Sequence, residues 1–242
     1  KMINKVKLIQ KFLISSKNKF LIITNNDLHL NEIPNLNQKD IYNITGFDCS
    51  FGFLLILSDQ IIFFTDSRYT LAAAKFFTKK VEIYDIKKKS LCDYLINLGS
   101  NFNGLVDTKL ISTQQFLDFN KILSKSKIRI LPLKDLIYPK EYFPDFDRSY
   151  AFSLPKNYTP RNYEKNIQWI EKRIKSDGLL IWNNSHIAYI LNIRSFELEN
   201  STKPFAGLFI PKKNLKPIII SNNPRLRNIK KIKNNFKLQS FE

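Results

Sequence analysis

Imidazole is scarce in this chain: His29 and His186 are the only histidines in 242 residues. His29 lies in the run Asp27-Leu28-His29-Leu30-Asn31-Glu32. Two carboxylates and an imidazole at that spacing could ligate a divalent cation, or they could tie a loop together by hydrogen bonds. With no further ligands nearby in sequence to complete and orient a metal shell, the loop reading is favoured. His186 has no carboxylates at ligand spacing. Arg68 falls in Thr65-Asp66-Ser67-Arg68-Tyr69, directly after an apolar run. A guanidinium there can grip a peptide carboxylate through two parallel hydrogen bonds, or it can pair with Asp66 inside its own domain. No serine sits in a nucleophile-elbow motif, and no glycine-rich phosphate loop is present. Cys49 and Cys92, the only cysteines, are too few for a disulfide framework or a cysteine-based zinc site.

Composition narrows the setting. At 43% hydrophobic residues the chain is not disordered, and its apolar runs, such as Phe51–Leu57, are too short to span a membrane. Lysines interrupt the apolar residues up to Phe20, unlike a signal peptide. A cytoplasmic, reducing location is the expectation. The net charge is +18. That excess is spread along the chain together with abundant Asn and Ile, as AT-rich coding would produce. The one concentrated stretch, Lys203 to Lys237, carries ten basic residues and no acidic one. Its interleaving residues are Leu, Ile and Pro rather than the stacking aromatics of single-strand binders. This argues for a solvated or domain-facing surface and against a nucleic-acid partner.

The elements that must position these side chains alternate between strand and helix. Ile3, Val6, Ile9 and Leu13 mark one face of a helix over 2–14. Phe20–Thr24 reads as a buried strand. Phe51–Leu57 and Ile61–Thr65, joined by Ser58-Asp59-Gln60, read as a hairpin. Thr70–Phe77 suits a helix, and Val81–Tyr84 a strand. Ser112 with Gln115 opens a capped helix carrying Phe116, Phe119 and Leu123, and Ile128–Ile130 alternates again. The pattern predicts an α/β fold. Four prolines between 139 and 160 mark a connector. Beyond it, Thr159 and Pro160 are placed to start a helix bearing Tyr163, Ile167, Ile170 and Ile174. A strand at Leu179–Trp182 follows. Trp169 and Trp182 read as packing residues.

The two halves echo each other. Phe20–Asn26 parallels Gly178–Asn184, Asp40–Ile44 parallels His186–Ile190, and Phe51–Leu54 parallels Phe205–Leu208. The second copy is incomplete: it stops before counterparts of the helices near 90–98 and 112–124. The expected organisation is a first domain over 1–140, a linker over 141–158 and a truncated second domain over 159–242.

Five stretches in order carry a resemblance to a known family. They are Asp27–Glu32, Tyr42–Gly52 (YNITGFDCSFG), Thr65–Tyr69 (TDSRY), Tyr158–Lys165, and Ile190–Glu197 (ILNIRSFE). Together they resemble the N-terminal half of the three-domain aminopeptidases P, the Xaa-Pro aminopeptidases of peptidase family M24B. Cys49, Ser67, Pro160 and Ser195 replace glycines usual in that family, which points to local differences in those loops.

The resemblance implies two tandem creatinase/prolidase N-terminal-like domains, each a mixed sheet flanked by helices, the second incomplete. It implies a parent metallohydrolase that releases the residue before proline, through a C-terminal pita-bread domain holding two divalent metals, commonly manganese. The two Asp, one His and two Glu that ligate them have no counterpart in this chain, which is therefore expected to be catalytically silent, with no metal of its own. Its implied roles are to restrict access to the catalytic cleft and to support dimerisation. The implied partners are its own catalytic domain, a second copy of the intact protein and short proline-containing peptides, with no membrane. Arg68, Asp66, Tyr69 and His29 in the first domain, and Asn192 and Arg194 in the second, are the candidates for facing the cleft or a neighbouring domain. Asn192 and Arg194 have the alternative of capping the preceding short helix. A stand-alone peptide- or protein-binding module of the same fold is the rival reading. Exposed apolar surface is expected where the incomplete second domain and the absent third would pack.

Overall fold

The computed structural model describes the chain apart from residues 1, 78–79, 135–136, 147–149, 213–214 and 242, and the side chains of 2 and 3. It divides into two compact units, Lys1–Phe143 and Pro144–Glu242.

The first unit runs α1 (Met2–Ser15), β1 (Phe20–Thr24), α2 (Asp40–Thr45), β2 (Phe53–Leu57), β3 (Ile61–Thr65), α3 (Thr70–Phe77), β4 (Glu82–Asp85), α4 (Leu91–Asn97), β5 (Asn103–Val106), α5 (Thr113–Leu123) and β6 (Arg129–Pro132). Its six strands form one sheet in the order β4-β3-β2-β1-β5-β6. The β2–β3 pair is the antiparallel hairpin that the polar Ser58-Asp59-Gln60 turn predicts, with Leu54 opposite Phe63. β2 also runs antiparallel to β1, whereas β4, β5 and β6 pair parallel with their neighbours.

Every residue of β1 and β2 is buried, because helices cover both faces. Leu21 and Ile23 point to the side of α1, α2 and α3, where Val6, Ile9, Leu13, Ile41, Ile44 and Phe77 pack. Phe20 and Ile22 point to the other side, against Leu91, Leu95, Leu123 and Ile130. The buried face of α1 is thus the one its spacing foretells, except that the side chain of Ile3 lies outside the described residues. Caps fix two of the covering helices. Ser90 and Asp93 form a reciprocal capping box on α4, and the Ser112 hydroxyl accepts the Gln115 amide of α5 at 3.1 Å.

The second unit runs β7 (Ala151–Ser153), α6 (Tyr163–Glu171), β8 (Gly178–Ile181), α7 (Asn184–Leu191), β9 (Ile193–Ser195), β10 (Gly207–Pro211), β11 (Ile218–Ile220), α8 (Lys230–Asn235) and β12 (Lys237–Gln239). β7 pairs antiparallel with β9, so part of the proline-bearing stretch is a strand of this unit. The main sheet has the order β12-β11-β10-β8. α6 starts later than Thr159-Pro160 suggests. Asn162 is its N-cap, accepting the Lys165 amide at 3.0 Å, while the Thr159 hydroxyl donates to the Lys156 carbonyl and closes a preceding turn. Proline drives the residue before it out of helical backbone, and Thr159 is extended, leaving the cap to the next suitable side chain.

Candidate functional site

In the first unit the carboxyl ends of β1, β3, β4, β5 and β6 lie at one end of the sheet, since β2 alone runs the other way. The loops at this end carry Asp27 and His29, Cys49 and Ser50, Asp66 to Tyr69, and Asp107. In open α/β sheets the crevice outside such strand ends is where ligands collect.

The Asp27 loop is held by its own carboxylate. Asp27 Oδ1 accepts the backbone amides of His29 (2.9 Å) and Asn31 (3.0 Å), and Oδ2 accepts the Asn31 side-chain amide at 2.8 Å. Leu30 takes a left-handed backbone, φ 54°, to close the turn. His29 is buried and Glu32 exposed, so the three candidate ligands do not converge. Among the described residues, no group of three or more His, Cys, Asp or Glu could hold a metal ion. Donors already committed to backbone amides do not fit a metal centre. At the root of the loop, Thr24 Oγ1 and Asn26 Nδ2 both donate to the Leu110 carbonyl at 2.9 Å, and Asn25 Nδ2 donates to the Cys49 carbonyl.

The loop before β2 meets the loop after β3. Gly46 ends α2 with φ 80°, a conformation glycine adopts without Cβ strain, and Thr65 Oγ1 donates to the Phe51 carbonyl at 2.8 Å. Tyr69 Oη accepts the Ser50 amide (3.2 Å) and donates to Ser50 Oγ (3.1 Å). Asp66 accepts the Arg68 amide and grips its guanidinium, with Nη2 to Oδ2 at 2.7 Å and Nε to Oδ1 at 3.0 Å. These hydrogen bonds from Arg68 hold the Asp66 carboxyl below its ordinary pKa. Arg68 is exposed, its guanidinium 5.4 Å over the Tyr69 ring, and its charge is favoured first by Asp66 and further by Tyr69 and Glu32. The structure therefore brings Asp66, Arg68 and Tyr69 together and sets Glu32, from the His29 loop, within their field. Cys49, Ser67, Pro160 and Ser195 do not have positive φ, so the backbone accepts their side chains. Cys49 is buried, and burial raises its thiol pKa to about 12, which makes it inert.

Asn192 and Arg194 lie in the second unit. Asn192, at φ 49°, is the left-handed C-cap of α7, and its side chain donates to the Arg161 carbonyl at 2.8 Å. Arg194 Nη1 donates to the carbonyls of Ala188 (3.1 Å) and Ile193 (2.8 Å). Arg194 thus caps a carbonyl of α7, whereas the Asn192 side chain ties the end of that helix to the segment before α6.

Two buried clusters are not foreseen by sequence reasoning. In the first unit the Lys140 side chain, 4% exposed, is paired with Asp40 and, at 2.9 Å, with Asp107. Tyr138 donates to Asp40 at 3.3 Å and Tyr142 to Asp107 at 2.8 Å. Burial raises the pKa of Asp40 despite Lys140. At Asp107 burial also pushes upward but is outweighed by Lys140, Tyr142 and the Lys109 amide, so its carboxyl sits below the ordinary value. In the second unit Glu197, 3% exposed, accepts from Ser195 Oγ at 2.7 Å, from the Asn223 side chain and from the Phe205 amide. Burial, the largest effect, raises its pKa. Asp40, Asp107 and Lys140 are far apart in sequence, and no local spacing marks them. Glu197 ends the Ile190–Glu197 stretch, which was its only signal.

A mixed α/β sheet with helices on both faces and its polar loops at the strand ends defines the first unit as a creatinase/prolidase-like domain. The chain belongs to the Creatinase/Prolidase N-terminal domain family, whose model matches residues 5–139. Over 200 residues it is 24% identical to the probable Xaa-Pro aminopeptidase P of Laccaria bicolor, covering 76% of this chain and 30% of that protein. Over 211 residues it is 22% identical to Xaa-Pro aminopeptidase 1 of Dictyostelium discoideum, covering 80% and 34%. The chain thus spans about a third of the length of the curated relatives it matches. In fold it is similar to the X-prolyl aminopeptidase of Caenorhabditis elegans, described as a cytosolic enzyme with a di-nuclear active site. The TM-score is 0.86 at 16% identity, covering 100% of this chain and 42% of that one. Among the described residues no helix is long and apolar enough to cross a membrane.

Proposed function

We propose that this chain is the non-catalytic N-terminal part of a longer Xaa-Pro aminopeptidase, with a creatinase/prolidase-like domain near 1–140 and a second, incomplete one near 159–242. The observation that carries this reading is the fold match, which covers all of this chain but 42% of the C. elegans enzyme. The curated relatives support it: the L. bicolor and D. discoideum proteins are both named as Xaa-Pro aminopeptidases, and each is covered to about a third. In the intact protein a separate domain supplies the two divalent metals, manganese by family resemblance, and the hydrolytic chemistry. The protein is cytoplasmic and acts as a dimer. The residues of this chain contribute shape. The strand-end loops bearing Arg68, Asp66, Tyr69 and His29 narrow the approach to the cleft, admitting short peptides. One edge of the Arg68 guanidinium, Nε and Nη2, is committed to Asp66, and the rest of this exposed group is available to a peptide carboxylate.

The test is a comparison of two proteins. One is the 242-residue chain, and the other is the product of the complete natural reading frame, each assayed on Arg-Pro-Pro with and without manganese. Turnover by the complete protein alone supports the reading. Absence of turnover in both, with the complete protein folded, would overturn it in favour of a binding module.

A further inference from the structure

The buried Asp40–Lys140–Asp107 cluster is hydrogen-bonded unevenly. Asp40 Oδ2 is paired with Lys140 and accepts the Tyr138 hydroxyl at 3.3 Å. Asp107 Oδ2 is shared by Lys140 (2.9 Å) and Tyr142 (2.8 Å), and Asp107 Oδ1 accepts the Lys109 amide at 3.0 Å. Asp40 Oδ1 is different. It is buried, and among the described residues no protein group donates to it. The Asp40 side chain is 2% exposed, so bulk solvent does not serve that oxygen either. A buried carboxylate oxygen without a donor is costly, and folded proteins answer nearly all such groups with a protein donor or an ordered water.

The surroundings indicate which. An interior cavity of about 10 Å³, counted as space open to the centre of a water molecule, lies at this point of the first unit. Its walls include Asp40 at the start of α2, Leu21 and Ile23 of β1, Asp107 at the end of β5, and Tyr138 and Lys140 after β6. That volume takes a single water-sized body.

The charges on the walls select among bodies of that size. A monovalent cation would lie beside the Lys140 ammonium on the same carboxylate, and a halide would face two acids. Each would meet like charge where solvent screens it poorly. Water meets neither objection. It also suits Asp40 in either protonation state, donating to the carboxylate or accepting from the acid, which matters for a group whose pKa burial raises. A buried water makes about three hydrogen bonds. Asp40 Oδ1, Asp107 and the one ammonium N–H of Lys140 not used on the two acids can supply them.

We propose that the cavity is a binding site for one structural water, which donates to Asp40 Oδ1, accepts the remaining N–H of Lys140 and closes the cluster. Gln38 Nε2 already donates to the Tyr142 carbonyl at 2.9 Å. With the water in place, the stretch 138–142 is fastened along its length to the start of α2 and the end of β5. The site lies within the first unit and stands or falls apart from the aminopeptidase reading.

A crystal structure of the 242-residue chain at neutral pH tests it, at a resolution that shows ordered water. The expected result is one peak about 2.7–3.2 Å from both Asp40 Oδ1 and Lys140 Nζ. Crystals grown with rubidium in place of sodium and potassium should show no anomalous signal there. Asp40→Leu, close in volume but without the oxygen, should lose the peak. Should that variant fail to fold, wild-type chain in solution gives a second reading: nuclear Overhauser contacts between a long-lived water and the methyl groups of Leu21 and Ile23. A cavity without density, an Asp40 Oδ1 turned onto a protein donor, an anomalous rubidium peak, a peak that persists in Asp40→Leu, or the absence of those water contacts would each overturn the proposal.

Discussion

At the scale of single residues, the exposed and the buried ion pairs do different work. The Asp66–Arg68 fork sits in water, where such pairs contribute little to stability. Arg68→Ala should leave the urea midpoint of the chain unchanged. In the complete protein it should raise KM for Arg-Pro-Pro more than it lowers kcat, as expected of a group that positions the substrate. Lys140 is the opposite case. Removing it by Lys140→Met strands Asp40 and Asp107 in the interior, a loss of about 3–5 kcal/mol by urea denaturation at neutral pH. The sign of its pH dependence follows from the carboxyls. Asp107 is held below its ordinary pKa, so its contribution is present above the ordinary carboxylate range and is lost as pH falls through the lowered value. Without Lys140, burial is opposed only by the hydrogen bonds from Tyr138 to Asp40 and from Tyr142 and the Lys109 amide to Asp107, so both pKa values rise and the acids become easier to accept when protonated. The gap between wild type and variant should therefore be widest near neutrality and shrink as pH drops through the carboxylate range. A gap independent of pH would rule out the charge account.

At the scale of elements, capping decides where the helices begin. Ser112→Ala should cost about 1 kcal/mol by removing the acceptor of the Gln115 amide, as read by the thermal midpoint of the first unit. The capping pattern at Ser112, the hairpin around Ser58-Asp59-Gln60 and the buried stripe of α1 were legible in the sequence, because each is set by neighbours within a few residues. The start of α6 was not. Thr159-Pro160 and Asn162 both satisfy local rules, and the competition is resolved by where the backbone leaves its extended path. The candidate site was legible in part. The Asp66–Arg68 turn and the Asp27 loop are local motifs, and the resemblance located both. The Asp40–Lys140–Asp107 cluster was hidden because its members meet only when the start of α2, the end of β5 and the segment after β6 are assembled. Asn192 and Arg194 had two readings; Asn192 is the left-handed C-cap of α7 through its backbone, and Arg194 bonds the Ala188 carbonyl of that helix.

At the scale of the whole molecule, the internal echo seen between Phe20–Asn26 and Gly178–Asn184 reappears as two sheets with one register. A repeat legible only weakly in letters is plain in backbone pairing, because many apolar residues satisfy the same pleated position. The repeat also makes the inequality of the two units interpretable: the apolar face closed at Ile22, Leu55 and Ile62 in the first is open at Leu180 in the second. Leu180, exposed on this face, and Leu179 and Trp169, exposed elsewhere on the second unit, predict that the 242-residue chain binds a hydrophobic dye such as ANS more strongly than the complete protein does. Equal dye binding per molecule would argue that this face stays open in the intact protein.

The assay to run first is hydrolysis of Arg-Pro-Pro by protease-free preparations of the 242-residue chain and of the complete reading-frame product, each with added manganese. The chain alone should release no arginine, and the complete protein should release it in a metal-dependent way. Release of arginine by the 242-residue chain would mean that catalysis resides in these domains, and that their reading as a non-catalytic N-terminal part is wrong.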